Sequence, residues 1–316
     1  MHIPDGFLDA KTALTAAGLS VVGLGYALRR VRLDLPPRRV PLLGLSAAFL
    51  FAAQMVNFPV AGGTSGHLIG GALVAALLGP SAAVIVIATV LIVQCFLFAD
   101  GGILALGANI FNMGLVAPLC GFAVYRLAWK LLPGTGGRVA ALAFSGWCST
   151  VAASVSCAGQ LAWSGVIAWN VALPAMAGAH MLIGVGEGLI SALVFLAVTR
   201  TRQDLLAAPV VGAAPTGIRE FVTLGLLVAI GIVIFVAPFA SPWPDGLETV
   251  AVRFGFAARA PLLPAAASDR QITGLGSSGL STVLVGAMGV LLVFGFVVFF
   301  SRLVVREPAA PKTTDA

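Results

Sequence analysis

The chain has 316 residues, 59% of them hydrophobic and 9% charged, with a mean hydropathy of +1.04 and a formal net charge of +6. Too few polar side chains remain to cover a water-soluble fold, and the apolar runs are continuous rather than alternating, so a β-barrel is excluded and an all-α polytopic membrane protein is expected. The basic residues are split among several loops, so the positive charge reads as membrane topology and no nucleic-acid partner is expected.

The chain opens MHIPDGFLDA, a stretch that lacks basic residues and carries Asp5 and Asp9, unlike a signal peptide. Met1 is expected to be the mature N-terminus, since a bulky His2 disfavours removal of the initiator Met. Apolar stretches able to cross a hydrocarbon core of about 30 Å lie at 9–28, 41–57, 66–79, 81–98, 103–126, 138–163, 173–199, 220–240 and 279–301, with 66–79 short. Gly79-Pro80-Ser81 breaks the third from the fourth, predicting a tight hairpin. Cys95, Cys120, Cys148 and Cys157 fall inside these stretches with no CxxC spacing and read as packed thiols. The composition turns polar between 200 and 219, predicting a seven-helix membrane domain over 1–205, a linker at 206–219, a two-helix domain at 220–303 and a tail at 304–316.

If nine spans alternate, Arg29, Arg30, Arg32, Arg38, Arg39, Arg126, Lys130, Arg138, Arg200, Arg202, Arg219, Arg302, Arg306 and Lys312 share one side. Lys11, Arg253, Arg259 and Arg270 take the other. The positive-inside rule then predicts an inner (plasma) membrane protein with its N-terminus outside and its C-terminal tail in the cytoplasm.

That topology puts Met1, His2 and the FPVAGGTSGH loop ending at His67 on one face. An N-terminal X-His pair offers a metal three nitrogens in sequence: the α-amine, the amide of residue 2 and the His2 Nδ1. They close chelate rings of five and six members, and His67 can supply a fourth nitrogen. An all-nitrogen plane suits a transition metal such as Ni(II) or Cu(II) over Zn(II), Mg(II) or Ca(II). Binding displaces protons, so affinity is expected to fall on acidification. The glycines at 62, 63 and 66 allow the close backbone approach such a site needs.

MHIPDGFL and NFPVAGGTSGHLIGGALVAALLGP at 57–80 resemble the substrate-capture subunit of nickel and cobalt energy-coupling-factor (ECF) transporters, the CbiM/NikM family, over roughly residues 1–205. The resemblance implies an S-component bundle, a near-square metal site made by the Met1 amine, the His2 amide and imidazole and the His67 imidazole, and an additional first helix that carries the terminus into it. PFASPWPDGLETVA at 237–251 resembles the two-helix N-type subunit (CbiN/NikN), whose outer loop carries PDGLE, here fused. Ni(II) or Co(II) is then the transported substrate, with no organic cofactor. The implied partners, besides membrane lipid, are a transmembrane coupling (T) subunit and cytosolic ATPase (A) subunits. Asp245 and Glu248 can attract cations at the entry, and a plain Pro-Asp-Gly turn with solvated acids accounts for them equally well.

Other polar residues sit at membrane depth, where they need partners. Gln54, Asn57, Gln94, Asp100, Asn109 and Asn112 lie towards the outer face. Asn57, Gln94 and Asn112 are candidates to orient the ligating imidazoles, against ordinary interhelical hydrogen bonding. His180 and Glu187 are seven apart on one helix face; His180 is the rival to His67 as a ligand, and Glu187 an acid expected to pair with a polar neighbour. No GxxxxGK[ST] run occurs, so the chain is expected to be a transport subunit and no enzyme, with ATP bound elsewhere. A stand-alone secondary carrier or channel for divalent metal is the alternative. Internal repeats and several acids at mid-depth would mark one, and Glu187 is the single strong example. Planar nitrogen geometry favours nickel, and the ligands alone do not separate it from cobalt.

Overall fold

The computed structural model describes residues 1–201, 217–260 and 278–305. The helices, in chain order, are α1 (Ala10–Asp34), α2 (Val40–Gln54), α3 (Gly71–Leu78), α4 (Pro80–Phe98), α5 (Leu106–Asn109), α6 (Ala117–Leu131), α7 (Gly134–Trp163), α8 (Trp169–Thr201), α9 (Ile218–Phe235), α10 (Gly246–Arg253) and α11 (Ser278–Val304). A π-helical stretch, Ile110–Val116, joins α5 to α6 in one continuous rod. Between α2 and α3 an antiparallel hairpin pairs β1 (Phe58–Val60) with β2 (Thr64–Gly66) in the register Phe58 to Gly66.

Seven helices among the described residues are long and apolar enough to cross a membrane, and the protein is a multi-pass helical membrane protein. Two of the nine expected spans differ. The 66–79 stretch is the end of β2, an extended run and the eight-residue α3, about 12 Å of helix. Gly70 at φ 76° ends the extended run, and Gly79 at φ 93° ends α3 before Pro80 opens α4, which makes the expected turn. The 41–57 stretch becomes the fifteen-residue α2, stopped before the hairpin. The linker expected at 206–219 lies outside the described residues up to 216, with Gly217 (φ 75°) and α9 following directly. Residues 261–277 and 306–316 also lie outside them.

Local chemistry explains several starts and contacts. Asp9 caps α1 by accepting from Thr12 N–H at 3.0 Å. The α7–α8 pair is the most intimate, because Gly146 lies against the backbone of Gly188, leaving no room for side chains between the axes. Leu14, Val22, Leu224, Leu227, Leu291 and Phe299 are exposed, whereas Phe51, Phe195, Leu43 and Leu50 are buried among small residues such as Ala47, Ala48, Ala75, Ala83 and Ala153. Cys95 and Cys157 are buried and Cys120 and Cys148 half-buried, all as free thiols. α9 and α11 pack on α2, and α10 lies on α8 and β2, which brings the C-terminal segment to the end of the bundle where the chain begins.

Candidate metal centre at the start of the chain

The opening decapeptide is consumed residue by residue. Ile3, fully buried, is held on both sides of its backbone: its N–H donates to Asn109 Oδ1 at 2.7 Å and its carbonyl accepts from Asn109 Nδ2 at 3.0 Å and Gly102 N–H at 2.9 Å. Asp5 accepts from the N–H groups of Ile103, Leu104 and Ala105 at 3.1, 2.8 and 3.2 Å, tying the strap to the turn before α5. A Cβ on Gly102 would collide with Asp5, so glycine is required there. Gly6 turns the chain at φ 86°, and Phe7 drops into the core edge-on to Phe256, with centroids 5.1 Å apart. The strap thus fixes the first two residues without using their nitrogens.

Those nitrogens meet His67. The Met1 amine lies 2.8 Å from His67 Nε2 and 2.7 Å from Asp245 Oδ2. The rings of His2 and His67 stack, with centroids 5.2 Å apart and planes at 23°. His67 Nδ1 faces the Leu68 carbonyl at 3.3 Å; a proton assigned to Nδ1 leaves the Nε2 lone pair towards the amine. For metal–nitrogen bonds of about 2.0 Å, adjacent corners of a square are about 2.8 Å apart and those of a tetrahedron about 3.3 Å. The amine–imidazole separation matches the square edge, and in this structure an N–H···N hydrogen bond spans it.

Electrostatics keeps the ring nitrogens available. Burial drives the His67 imidazole well below its ordinary range, and the nearby N-terminal ammonium pushes the same way. Burial also lowers His2, against the opposing pull of Asp100. Burial would raise Asp245, but the amine's charge and hydrogen bond and the backbone N–H of Glu248 outweigh it and hold the carboxyl far below its usual range. Burial and the Asp245 charge raise Glu248.

The structure separates the remaining candidates. Asp245 caps α10 in a reciprocal capping box with Glu248 and, rather than standing solvated, binds the Met1 amine. Glu248 itself makes that box and does not touch the amine. Parallel pairing of Ser65 with Asp245, and Ser65 N–H donating to the Pro244 carbonyl at 2.8 Å, stitch the loop to β2. A cavity of about 690 Å³ beside the histidines is lined by His2, His67, Gln94, Asp100, Asn57 and Glu248, among others. Asn57 contributes its carbonyl to Ser241 N–H at 2.8 Å. Gln94 donates to Gln54 at 2.9 Å, and its side chain also interacts with the buried His2 ring.

One expectation needs correction. Asn112 does not orient either imidazole; it bonds Gln160 and Ser156 of α7, because the π-helical turn after Asn109 swings it off the face the α-helical i, i+3 spacing predicts. On α8, His180 Nδ1 bonds the Met176 carbonyl at 2.8 Å, and Glu187 finds its polar neighbours in the backbone N–H groups of Ile69 and Gly70. His180 does lie beside Gly246 and lines a small void with Met1, His67 and Asp245. The His2 Nδ1, expected as a ligand, faces Asp100 Oδ1 at 3.1 Å, and the ring also interacts with the Gln94 side chain. A chelate through Nδ1 therefore takes that nitrogen from Asp100. Sequence reasoning missed Asp5, although its fixed distance from His2 and the later Gly101-Gly102 pair were signals.

A family model described as CbiM, cobalt uptake substrate-specific transmembrane region, matches residues 2–205. The "Putative fused nickel transport protein NikMN" of Archaeoglobus fulgidus is 35% identical over 295 residues, covering 93% of this chain and 95% of that protein. The cobalt transport protein CbiM 1 of Pelobacter propionicus is 34% identical over 217 residues, covering 66% of this chain and 95% of its own. A crystal structure of a truncated transition metal transporter aligns with a TM-score of 0.59 and 36% identity over 64% of this chain and 99% of that one. Since the family match starts at the strap's own histidine and the NikMN similarity runs on through the segment that brings Asp245 to the amine, the chain belongs to the CbiM family.

Proposed function

We propose that this chain is the substrate-binding membrane subunit of an ATP-driven ECF-type importer of nickel or cobalt. It captures the ion at the extracytoplasmic face through the Met1 amine, the His2 amide and imidazole and the His67 imidazole. The observation that carries the reading is the 2.8 Å approach of the Met1 amine to His67 Nε2, across 66 residues of sequence and inside the protein. Four nitrogens in one plane favour nickel, which accepts such a set readily. Family membership and the relatives' names support a transition metal as cargo. In this reading residues 1–205 capture the ion and 220–303 form a fused auxiliary unit. The N-terminus is outside and the C-terminus cytoplasmic. A coupling subunit and an ATPase pair supply the energy, and Asn57 and Gln94 line the ion's approach.

Uptake of labelled nickel and cobalt by cells carrying this chain, with and without the ATPase, tests the reading. Uptake is expected to require the ATPase and to be lost in His2→Ala and His67→Ala. Uptake that persists in both variants rejects the site, and uptake without the ATPase indicates a secondary carrier.

A further inference from the structure

Glu187 is fully buried in the middle of α8, an expensive place for a carboxylate. Among the described residues no salt bridge involves it. Its two oxygens are instead spent on backbone: Oε2 accepts from Ile69 N–H at 2.6 Å and Oε1 from Gly70 N–H at 2.8 Å. Those N–H groups lie two and three residues beyond His67, where the extended run ends and α3 begins, and the positive end of α3 adds to the attraction. A hydroxyl or amide could accept one of these bonds; a carboxylate accepts both from one side.

The same helix braces the rest of the hairpin. Gly66, immediately before His67, packs so closely on Ile183 that a Cβ would collide with it, and Gly186 receives the ring of Phe58. His67 is therefore flanked on both sides by residues docked on one turn and a half of α8, and its ring has a single place to stand.

We propose that Glu187 is a positioning residue for metal capture: by clamping Ile69 and Gly70 it sets the His67 imidazole at the fourth corner of the metal plane. The inference rests on the reading of His67 as a ligand. Carboxylates that orient ligating side chains typically contribute 10- to 100-fold to metal affinity. Glu187→Gln leaves one oxygen and turns an NH2 group towards a second N–H donor, so nickel affinity is expected to fall by about 10- to 100-fold.

The test is nickel titration of the purified full chain for wild type, Glu187→Gln, His67→Ala and the double variant, with the visible spectrum of the nickel complex recorded alongside. Glu187→Gln is expected to weaken binding and alter the spectrum in the wild-type background, and to add no further loss once His67 is alanine. Equal losses in both backgrounds mean a general structural role and overturn the inference. So does an unchanged affinity of Glu187→Gln while His67→Ala weakens binding. If His67→Ala itself leaves nickel binding intact, the metal-site reading fails instead. Should Glu187→Gln not purify as a monodisperse protein, Glu187→Asp, which keeps the charge and shortens the reach by one methylene, carries the same expectations.

Discussion

Inserting one glycine before Met1 separates the amine from every other feature of the site. No side chain changes, yet the nitrogen now beside His67 becomes an amide, and the new amine is displaced by about 3.3–3.6 Å. Met1 is 4% exposed and lines only a small void of about 10 Å³, so its surroundings hold no space for the extra residue. A four-ligand protein site binds its ion with roughly 10–16 kcal/mol, so one ligand is worth about 2.5–4 kcal/mol, or two to three orders of magnitude in Kd. Asp245 also loses its cationic partner at 2.7 Å, with its side chain only 14% exposed, which lowers the stability of the metal-free protein as well. The assay is nickel titration against a competing chelator, with intact-mass measurement confirming that the extra residue is retained. A confirmed extended chain that binds nickel within threefold of wild type refutes direct coordination by the amine.

The two asparagines of the α5 region make a matched pair. Asn109→Ala leaves the buried Ile3 N–H without its acceptor, a penalty of about 1–3 kcal/mol, and is expected to weaken nickel binding roughly 10- to 100-fold by loosening the strap. Asn112→Ala is expected to lower the melting temperature with nickel affinity unchanged, since its side-chain hydrogen bonds run to Gln160 and Ser156 of α7; equal effects on binding contradict this division. Gly102→Ala forces a Cβ into Asp5 and should lower the melting temperature by displacing the strap from residues 103–105, at a cost of about 1–3 kcal/mol. A variant as stable as wild type shows that the Asp5 contacts contribute little.

How far the sequence discloses this structure depends on whether the information is local. Hydropathy locates α4 and α7 closely, since their apolar runs end at Gly79-Pro80 and at the Pro133-Gly134 turn. It stops α1 and α6 short, because Arg29, Arg30, Arg32 and Lys130 end an apolar count without ending a helix; they are good helix formers whose heads reach water. Hydropathy also cannot distinguish the extended run after β2 from a helix, as both are buried and apolar. At the site, His2 and His67 are recognisable because an N-terminal X-His pair has its own coordination chemistry. The amine–Asp245 contact spans 244 residues, and nothing local distinguishes it from an ordinary turn. Asn112 was misplaced by assuming α-helical geometry across a π-turn that residues 106–116 do not announce.

Charge counting at the site leads to a quantitative expectation for loading. An N-terminal ammonium carries one positive charge; when a divalent ion takes the amine, the His2 amide and two imidazoles, one proton leaves the ammonium and one leaves the amide. Two charges enter and two depart, so the pocket's net charge is unchanged and Asp245 remains as well compensated as before. Burial lowers both the His2 and His67 imidazoles from their ordinary value, which disfavours their protonation as the pH falls, and Asp245, held far below its usual range, takes no proton up. Nickel affinity should therefore fall by about two decades per pH unit on acidification, one for each of the two protons displaced. Competition titrations between pH 6 and 7.5, with calorimetry in buffers of different ionisation enthalpy, measure it. A slope near one means the His2 amide keeps its proton and the four-nitrogen plane is wrong; a slope steepening towards four below pH 6.5 means the imidazoles are protonated and burial does not protect them.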